Sequence, residues 1–108
     1  MDYEPDSWVV LEIQTPGEVI HKVLAGFSSG FFMKGGSWRL NSGITEIKEE
    51  GDYFLFYGYS GSVYKCHKHC YGLCLETSSV FNNIERSCPD VVKLLDEDTN
   101  WLELELGL

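Results

Sequence analysis

The sequence predicts an α+β fold in which a single antiparallel sheet, built as a meander, carries two helices packed on one face. Two segments place apolar residues at helical spacing, and the stretch between them holds short runs of β-branched and aromatic residues separated by Gly-, Asn- and Ser-rich turns. Helices at either end of a run of strands are typical of an antiparallel sheet with helices on one side. The predicted order is β-α-β-β-β-β-α-β-β, and residues 1–108 are expected to form one domain.

The first predicted strand and the first predicted helix follow each other near the N-terminus. Residues 1–7 are polar and are expected to fray, whereas Trp8 to Ile13 alternates as a strand does. Thr15-Pro16-Gly17-Glu18 then matches a helix start, with a threonine N-cap, proline at the first helical position and glutamate completing a capping box. The helix is expected to reach about Ala25. Its apolar stripe is Val19, Ile20, Val23, Leu24 and Phe27.

The middle of the chain is expected to form consecutive antiparallel strands. Tyr53 to Tyr59 is the strongest strand signal, and because both of its faces are apolar it is predicted to lie centrally in the sheet. The other predicted strands are Phe31 to Met33, Trp38 to Ile44 with a bulge at Asn41-Ser42-Gly43, its continuation Thr45 to Lys48, Ser62 to Lys68, and Tyr71 to Leu75, which is expected to pair back.

The C-terminal third is predicted to contain the second helix and two strands. The helix spans about Thr77 to Cys88, with apolar residues at helical spacing. Asp90 to Leu95 is compatible with a strand or a helix, and Val91-Val92 favour the strand. Trp101 to Leu106 alternates between leucine and Trp or Glu, which predicts a half-buried strand at the edge of the sheet.

An excess of acidic residues limits the partners that the protein can bind. Seventeen Asp and Glu face eight Lys and Arg, for a net charge of −9. Such a surface is repelled by nucleic-acid backbones and anionic membranes, so binding to either is disfavoured. The first residues lack the features of a signal peptide, and no apolar run approaches the roughly 20 residues that cross a bilayer. We therefore expect a cytosolic protein whose four cysteines are reduced.

The densest group of reactive side chains comprises three thiols and two imidazoles. Zinc binds such ligands in tetrahedral sets, but Cys-x3-Cys-x3-Cys lacks the two-residue gaps of a zinc knuckle. The neighbouring lysines and imidazoles could also lower a thiol pKa for redox or nucleophilic chemistry. A metal or thiol site is thus one alternative hypothesis, although no metal is assigned and no cofactor is expected. The residues concerned are Cys66, His67, His69, Cys70 and Cys74.

The sequence shows no convergent acid, base and nucleophile, and it therefore favours a protein-binding domain over an enzyme. Aromatic side chains beside charged ones suit protein interfaces, and the predicted C-terminal edge strand could pair with a second copy to give a homodimer. An acidic inhibitor that mimics nucleic acid is a further alternative. The candidate interface residues are Tyr57, Tyr59, Tyr64 and Trp101.

Several segments resemble small uncharacterised proteins of bacteriophages and prophages. They are Trp38-Arg39-Leu40-Asn41-Ser42-Gly43-Ile44-Thr45, Gly58-Tyr59-Ser60-Gly61-Ser62-Val63-Tyr64, Tyr71-Gly72 and the tail Glu97-Asp98-Thr99-Asn100-Trp101-Leu102. The resemblance extends over roughly the last two thirds of the chain. It implies a bacterial cytosol and an accessory phage gene, and it brings no activity, cofactor or functional residue with it.

Overall fold

Two sheets and one α-helix make up the fold, which corrects the predicted single sheet with two helices on one face. The computed structural model describes residues 2–27, 37–104 and 106. Within these ranges, the strands are β1 (Asp2–Tyr3), β2 (Ser7–Thr15), β3 (Glu18–Phe27), β4 (Ser37–Leu40), β5 (Ile44–Glu50), β6 (Tyr53–Gly58), β7 (Val63–His67) and β8 (Val92–Leu94). The helices are α1 (Leu75–Ser87) and a short 3₁₀ helix (Trp101–Glu103).

The chain is arranged in three layers. Sheet A has the strand order β1-β7-β6-β5, and sheet B has the order β4-β3-β2-β8. Neighbouring strands run antiparallel in both sheets, apart from the parallel pair of β1 and β7. One face of sheet B packs against sheet A, and α1 covers the other face. Sheet B is therefore the middle layer.

Trp8 lies at the centre of the core between the two sheets. Its ring centroid is 5.2 Å from that of Phe56 in sheet A and 5.5 Å from that of Trp101. The indole N–H donates to the carbonyl oxygen of His67 at 2.7 Å, which satisfies the polar atom of this buried ring. The other buried residues of this core are Val10, Val23, Ala25, Ile44, Tyr64 and Cys66.

A second core lies between sheet B and α1. Because side chains alternate along a strand, β2 and β3 present one set of apolar residues to sheet A and another to the helix. Both faces of these two strands are thus covered over much of their length. The buried residues on the helix side are Val9, Leu11, Leu24, Phe81 and Val92.

The first predicted helix is wrong, because Glu18–Phe27 is strand β3. Thr15 pairs with Glu18 across a two-residue turn, and Gly17 has a φ of 92°. Proline followed by a glycine with positive φ is the pattern of a type II turn, and the same dipeptide also resembles a helix start. The β-branched residues that follow the turn then pair with β2 to form a hairpin.

The predicted continuous strand from Trp38 to Lys48 is divided between the two sheets. The segment up to Leu40 is β4 in sheet B, and Ile44–Glu50 is β5 in sheet A. Asn41 ends the pairing with β3, because its side-chain Oδ1 accepts from the Val23 amide at 2.9 Å and its own amide donates to the Val23 carbonyl. The predicted bulge is thus the point where the chain changes sheets.

The predicted C-terminal edge strand, Trp101 to Leu106, is also wrong. The segment begins with the 3₁₀ helix, and the Trp101 ring is buried beside Trp8, Phe56 and Tyr71. Burial of this large aromatic ring stabilises the fold more than a strand that follows the alternation of the sequence would. The described residues of this segment form no strand, and the predicted homodimer stays a prediction.

Several other predicted elements are confirmed, and the predicted strand Tyr71 to Leu75 is wrong. The second helix begins at Leu75, the first strand is β2, and β6 is central in its sheet, as expected. The Asp90 to Leu95 segment forms the strand β8. Tyr71 forms a parallel bridge with Trp8 and does not pair back onto β7. The predicted strand at Phe31 to Met33 lies outside the described residues.

Candidate functional site

The structure separates the cysteines and histidines that are adjacent in sequence. Cys66 points into the core and is fully buried, and burial raises the pKa of its thiol well above the usual value. His67 points to the opposite side of β7, where its ring makes an edge-on contact with Tyr53 at 5.1 Å. A thiol with a raised pKa inside a packed core is poorly suited to nucleophilic chemistry.

His69 and Cys70 lie in the turn after β7. The His69 amide donates to Nδ1 of His67 at 3.1 Å, and the two imidazole centroids are 5.5 Å apart. Cys74 lies farther along the chain, at the start of α1. In the part of the chain that the structure describes, no three His, Cys, Asp or Glu residues converge as metal ligands.

Cys74 occupies the N-cap of α1 and is partly exposed. Partial burial raises the pKa of its thiol, but hydrogen bonds involving Thr77, Ser7 and the Glu76 backbone outweigh this effect, so the pKa is lowered overall. The thiol also fits closely against sheet B, since a Cβ added at Gly26 would lie 2.6 Å from its Sγ. All four cysteines are free.

The four candidate interface aromatics divide into two pairs. Tyr64 and Trp101 are only 3% and 4% exposed and belong to the core between the sheets, so a partner reaches neither. Tyr59 is 57% exposed and lies over Gly43, where an added Cβ would be 2.8 Å from the tyrosine ring. Tyr57 is half-buried on the surface of sheet A that is turned away from sheet B.

That surface, which we call the outer face, is formed by alternate residues of β6 and β7. It is opposite the buried Phe56, Tyr64 and Cys66, and each of its residues is half-buried. Cross-strand partners lie side by side on it, with Leu55 opposite Lys65 and Tyr57 opposite Val63. Since α1 packs on sheet B, no described helix covers this face. Its residues are Tyr53, Leu55, Tyr57, Val63, Lys65 and His67.

Two lysines lie across the tyrosines of the outer face. Lys65 Nζ is 4.6 Å from the centroid of the Tyr53 ring and 3.9 Å from a carboxylate oxygen of Glu50. Lys48 Nζ is 5.2 Å from the centroid of the Tyr57 ring. Each ammonium group thus lies near a tyrosine ring and also pairs with a glutamate carboxylate.

Two adjoining pockets lie along the outer face. The Leu55 pocket has a volume of about 390 Å³, and the His67 pocket has a volume of about 360 Å³. Glu4 lines both, so the two pockets adjoin at this residue, and we refer to them together as the depression. The Leu55 pocket is lined by Asp2, Tyr3, Glu4, Glu50, Leu55, Tyr57, Val63 and Lys65. The His67 pocket is lined by Glu4, Pro5, Asp6, Tyr53, His67 and Cys70.

Carboxylates of the N-terminal segment form one wall of this depression. Residues 1–7 were expected to fray, but Asp2 and Tyr3 pair with β7, and the Asp6 amide donates to the Gly26 carbonyl at 2.9 Å. Tyr3 packs inward on Phe27, whereas Asp2 is exposed. Alternation along the chain thus places acidic side chains at the border of an apolar surface.

Sequence reasoning identified Tyr57 but not its neighbours on the outer face. The signal is the presence of apolar residues on both faces of Tyr53 to Tyr59, which predicts a central strand but does not say which face is covered. Two helices on one face of a single sheet would already have left the opposite face without cover. The paired positions Leu55 and Val63 could have been found by following that implication.

No family model, no curated protein and no solved structure matches the chain. The resemblance to phage proteins therefore stays a prediction. Among residues 2–27, 37–104 and 106, no helix has the length and apolar character needed to cross a membrane.

Proposed function

We propose that this chain is a non-enzymatic cytosolic domain that binds another protein through the outer face of sheet A. The observation that carries the proposal is the combination of a half-buried aromatic and apolar surface with two adjoining pockets along it. An accessory role in a phage or prophage agrees with the sequence resemblance and belongs to the same proposal.

The outer face has the chemical character of an interface. Its tyrosines combine a large apolar area with a hydroxyl that can hydrogen-bond, and such residues are enriched where proteins meet. Leu55 and Val63 add aliphatic surface between them. A partner that covers these side chains removes apolar area from water, which stabilises the complex. The other broad face of the chain, that of sheet B, is already covered by α1.

The geometry gives less support to a metal or thiol function. Cys66 faces the core, His67 faces the outer surface, and Cys74 lies at the start of α1, so these side chains do not converge. Cys74 has a lowered thiol pKa, but no neighbouring imidazole is among the groups that perturb it.

A nucleic-acid mimic is also less well supported, because basic residues interrupt the acidic strand β5. Its glutamates pair with lysines, and a continuous row of phosphate-like charges is therefore broken. The pairs are Glu46 with Lys48, Glu50 with Lys65, and Glu49 with Lys68.

Site-specific photo-crosslinking tests the proposed face. A benzophenone amino acid replaces Tyr57 in one sample and Asn82, which is exposed on α1, in the other. We expect position 57 to capture one protein from the native host and position 82 to capture none of it. Leu55→Asn should abolish the capture, whereas the matched control Leu75→Asn, on a side chain that is 82% exposed, should not. Equal capture from both positions would contradict the proposal.

A further inference from the structure

We propose that the segment bound on the outer face is an extended stretch of a partner protein with lysine or arginine at alternate positions, seated in the depression formed by the Leu55 and His67 pockets. The inference rests on the proposed function and adds the chemistry of the partner. It follows from three features of the depression, namely its charge, the spacing of its acidic wall, and the way in which it already holds a lysine.

The depression carries an excess of negative charge. The Leu55 pocket is lined by three carboxylates and one ammonium, and that ammonium, on Lys65, is already paired with Glu50. Asp2 and Glu4 form no salt bridge with any described residue. The His67 pocket adds Asp6 and contains neither lysine nor arginine. A cationic segment therefore finds two carboxylates without a salt bridge, those of Asp2 and Glu4, along the depression.

The acidic wall has the repeat of an extended chain. Asp2 and Glu4 are two residues apart, and Asp2 lies in strand β1, where alternate side chains share one face about 6.5 Å apart. A partner segment in the extended conformation has the same two-residue repeat, so lysines or arginines at alternate positions can each meet a carboxylate. A helical partner would place consecutive charges on different sides and would not match this wall.

Lys65 shows how the face holds a basic side chain. Its ammonium lies 4.6 Å from the Tyr53 ring centroid and 3.9 Å from Glu50. The hydrocarbon stem of a lysine packs on apolar surface while its charge reaches a carboxylate. The Leu55 pocket, which Lys65 also lines, offers a similar combination, with the apolar side chains of Leu55 and Val63 together with the carboxylate of Asp2. A lysine of the partner can repeat the contact that Lys65 makes.

NMR titration with two matched peptides tests this chemistry. The probes are acetyl-Lys-Val-Lys-Val-Lys-amide and its counterpart with Glu in place of Lys. We expect the basic peptide to shift the amide resonances of Asp2 to Glu4 and of Leu55 and Val63, and the acidic peptide to shift none of them. Raising the salt from about 50 mM to 500 mM should weaken binding several-fold, because exposed charges are screened.

Charge-reversal variants locate the contact. Glu4→Lys should weaken binding of the basic peptide by about three- to tenfold, the usual range for a charge at the border of an interface. The matched control Glu85→Lys, on an exposed residue of α1, changes the net charge equally and should have no such effect. Equal weakening by both variants would show that only overall charge attracts the peptide, and would overturn the inference.

Two other outcomes would also overturn it. If the acidic peptide binds as well as the basic one, the acidic wall does not select the partner. If the same resonances shift with protein concentration in the absence of peptide, the occupant is a second copy of this chain. The two proposals can also be separated. If the basic peptide does not bind, but crosslinking at position 57 captures a protein and Leu55→Asn abolishes that capture, the proposed function stands and only the partner chemistry is wrong.

Discussion

The two sheets differ in what covers them, although the central strands of both are apolar on both faces. In sheet B, β2 is buried against sheet A on one side and against α1 on the other. In sheet A, β6 is buried through Phe56 but leaves Tyr57 half-buried on the outer face. The same type of sequence thus builds a core in one sheet and a surface in the other. An apolar strand face that no described helix or sheet covers is available to a partner.

Removing the side chain that joins the layers should have the largest effect on stability. Trp8→Ala deletes contacts with Phe56 and Trp101 and the hydrogen bond to His67, and we expect a loss of about 3–5 kcal/mol in the free energy of unfolding. Chemical denaturation measures this loss. A loss below about 1 kcal/mol would mean that the two sheets are stable independently.

The contact between sheet B and α1 should be sensitive to one methyl group. In Gly26→Ala the new Cβ would approach Cys74 Sγ to 2.6 Å and Ser7 Oγ to 2.9 Å. We expect a loss of about 1–3 kcal/mol, which is the usual effect of overpacking. Adding Cys74→Ala should recover part of the loss in a double-mutant cycle. Strictly additive effects would show that the helix does not press on the sheet at this point.

A buried histidine should make the packing between the sheets dependent on pH. His21, on the side of β3 that faces sheet A, is buried with Nδ1 unpartnered. Burial lowers the pKa of His21, and Glu12, whose carboxylate oxygen is 3.9 Å from Nε2, opposes this shift. Other side chains of the adjoining pocket are the apolar Val19 and Leu104.

The unfolded chain therefore binds a proton at His21 more readily than the folded chain does. The free energy of unfolding should therefore be highest above a pH of about 6.5, which is the pKa of a histidine in the unfolded chain. It should fall as the pH drops below that value. Denaturation between pH 5 and pH 8 measures the slope. Glu12→Gln should steepen the loss, because it removes the charge that raises the His21 pKa. His21→Phe should flatten the slope, and an unchanged slope would contradict this assignment.

The smallest effect is expected on the outer face. Tyr57→Ala removes a half-buried ring and its contact with Lys48, and we expect it to cost about 1 kcal/mol or less in the free energy of unfolding. The same substitution should weaken partner capture. If Tyr57→Ala destabilised the protein as much as Trp8→Ala, the outer face would be part of the core and the comparison between the sheets would fail.

The sequence was sufficient where one interaction decides the local structure. Alternation defined β2, and apolar spacing with a following proline defined α1. It failed at Pro16-Gly17, since that dipeptide suits both a helix start and a tight turn. The choice depended on β2, against which the following residues pair. Local sequence patterns carry no information on that pairing with another strand.

The candidate site was predictable only in part for a related reason. Tyr57 could be selected as an aromatic residue beside charged ones, but Tyr64 has the same character and is in the core. Which tyrosine faces out depends on which face of sheet A packs on sheet B. Asp2 and Glu4 could not be selected from the sequence, because their position beside the outer face depends on the pairing of β1 with a strand some sixty residues away.

The parallel pairing of Asp2 with Val63 has a consequence for the order of folding. The hairpin of β2 and β3 closes a loop of only two residues. Strand β1, in contrast, cannot pair until its partner β7 has been synthesised. Pulse-labelling hydrogen exchange during refolding should therefore protect the amides of Val9 and Leu24 before that of Tyr3. The acidic wall of the depression therefore forms only when the rest of sheet A is present.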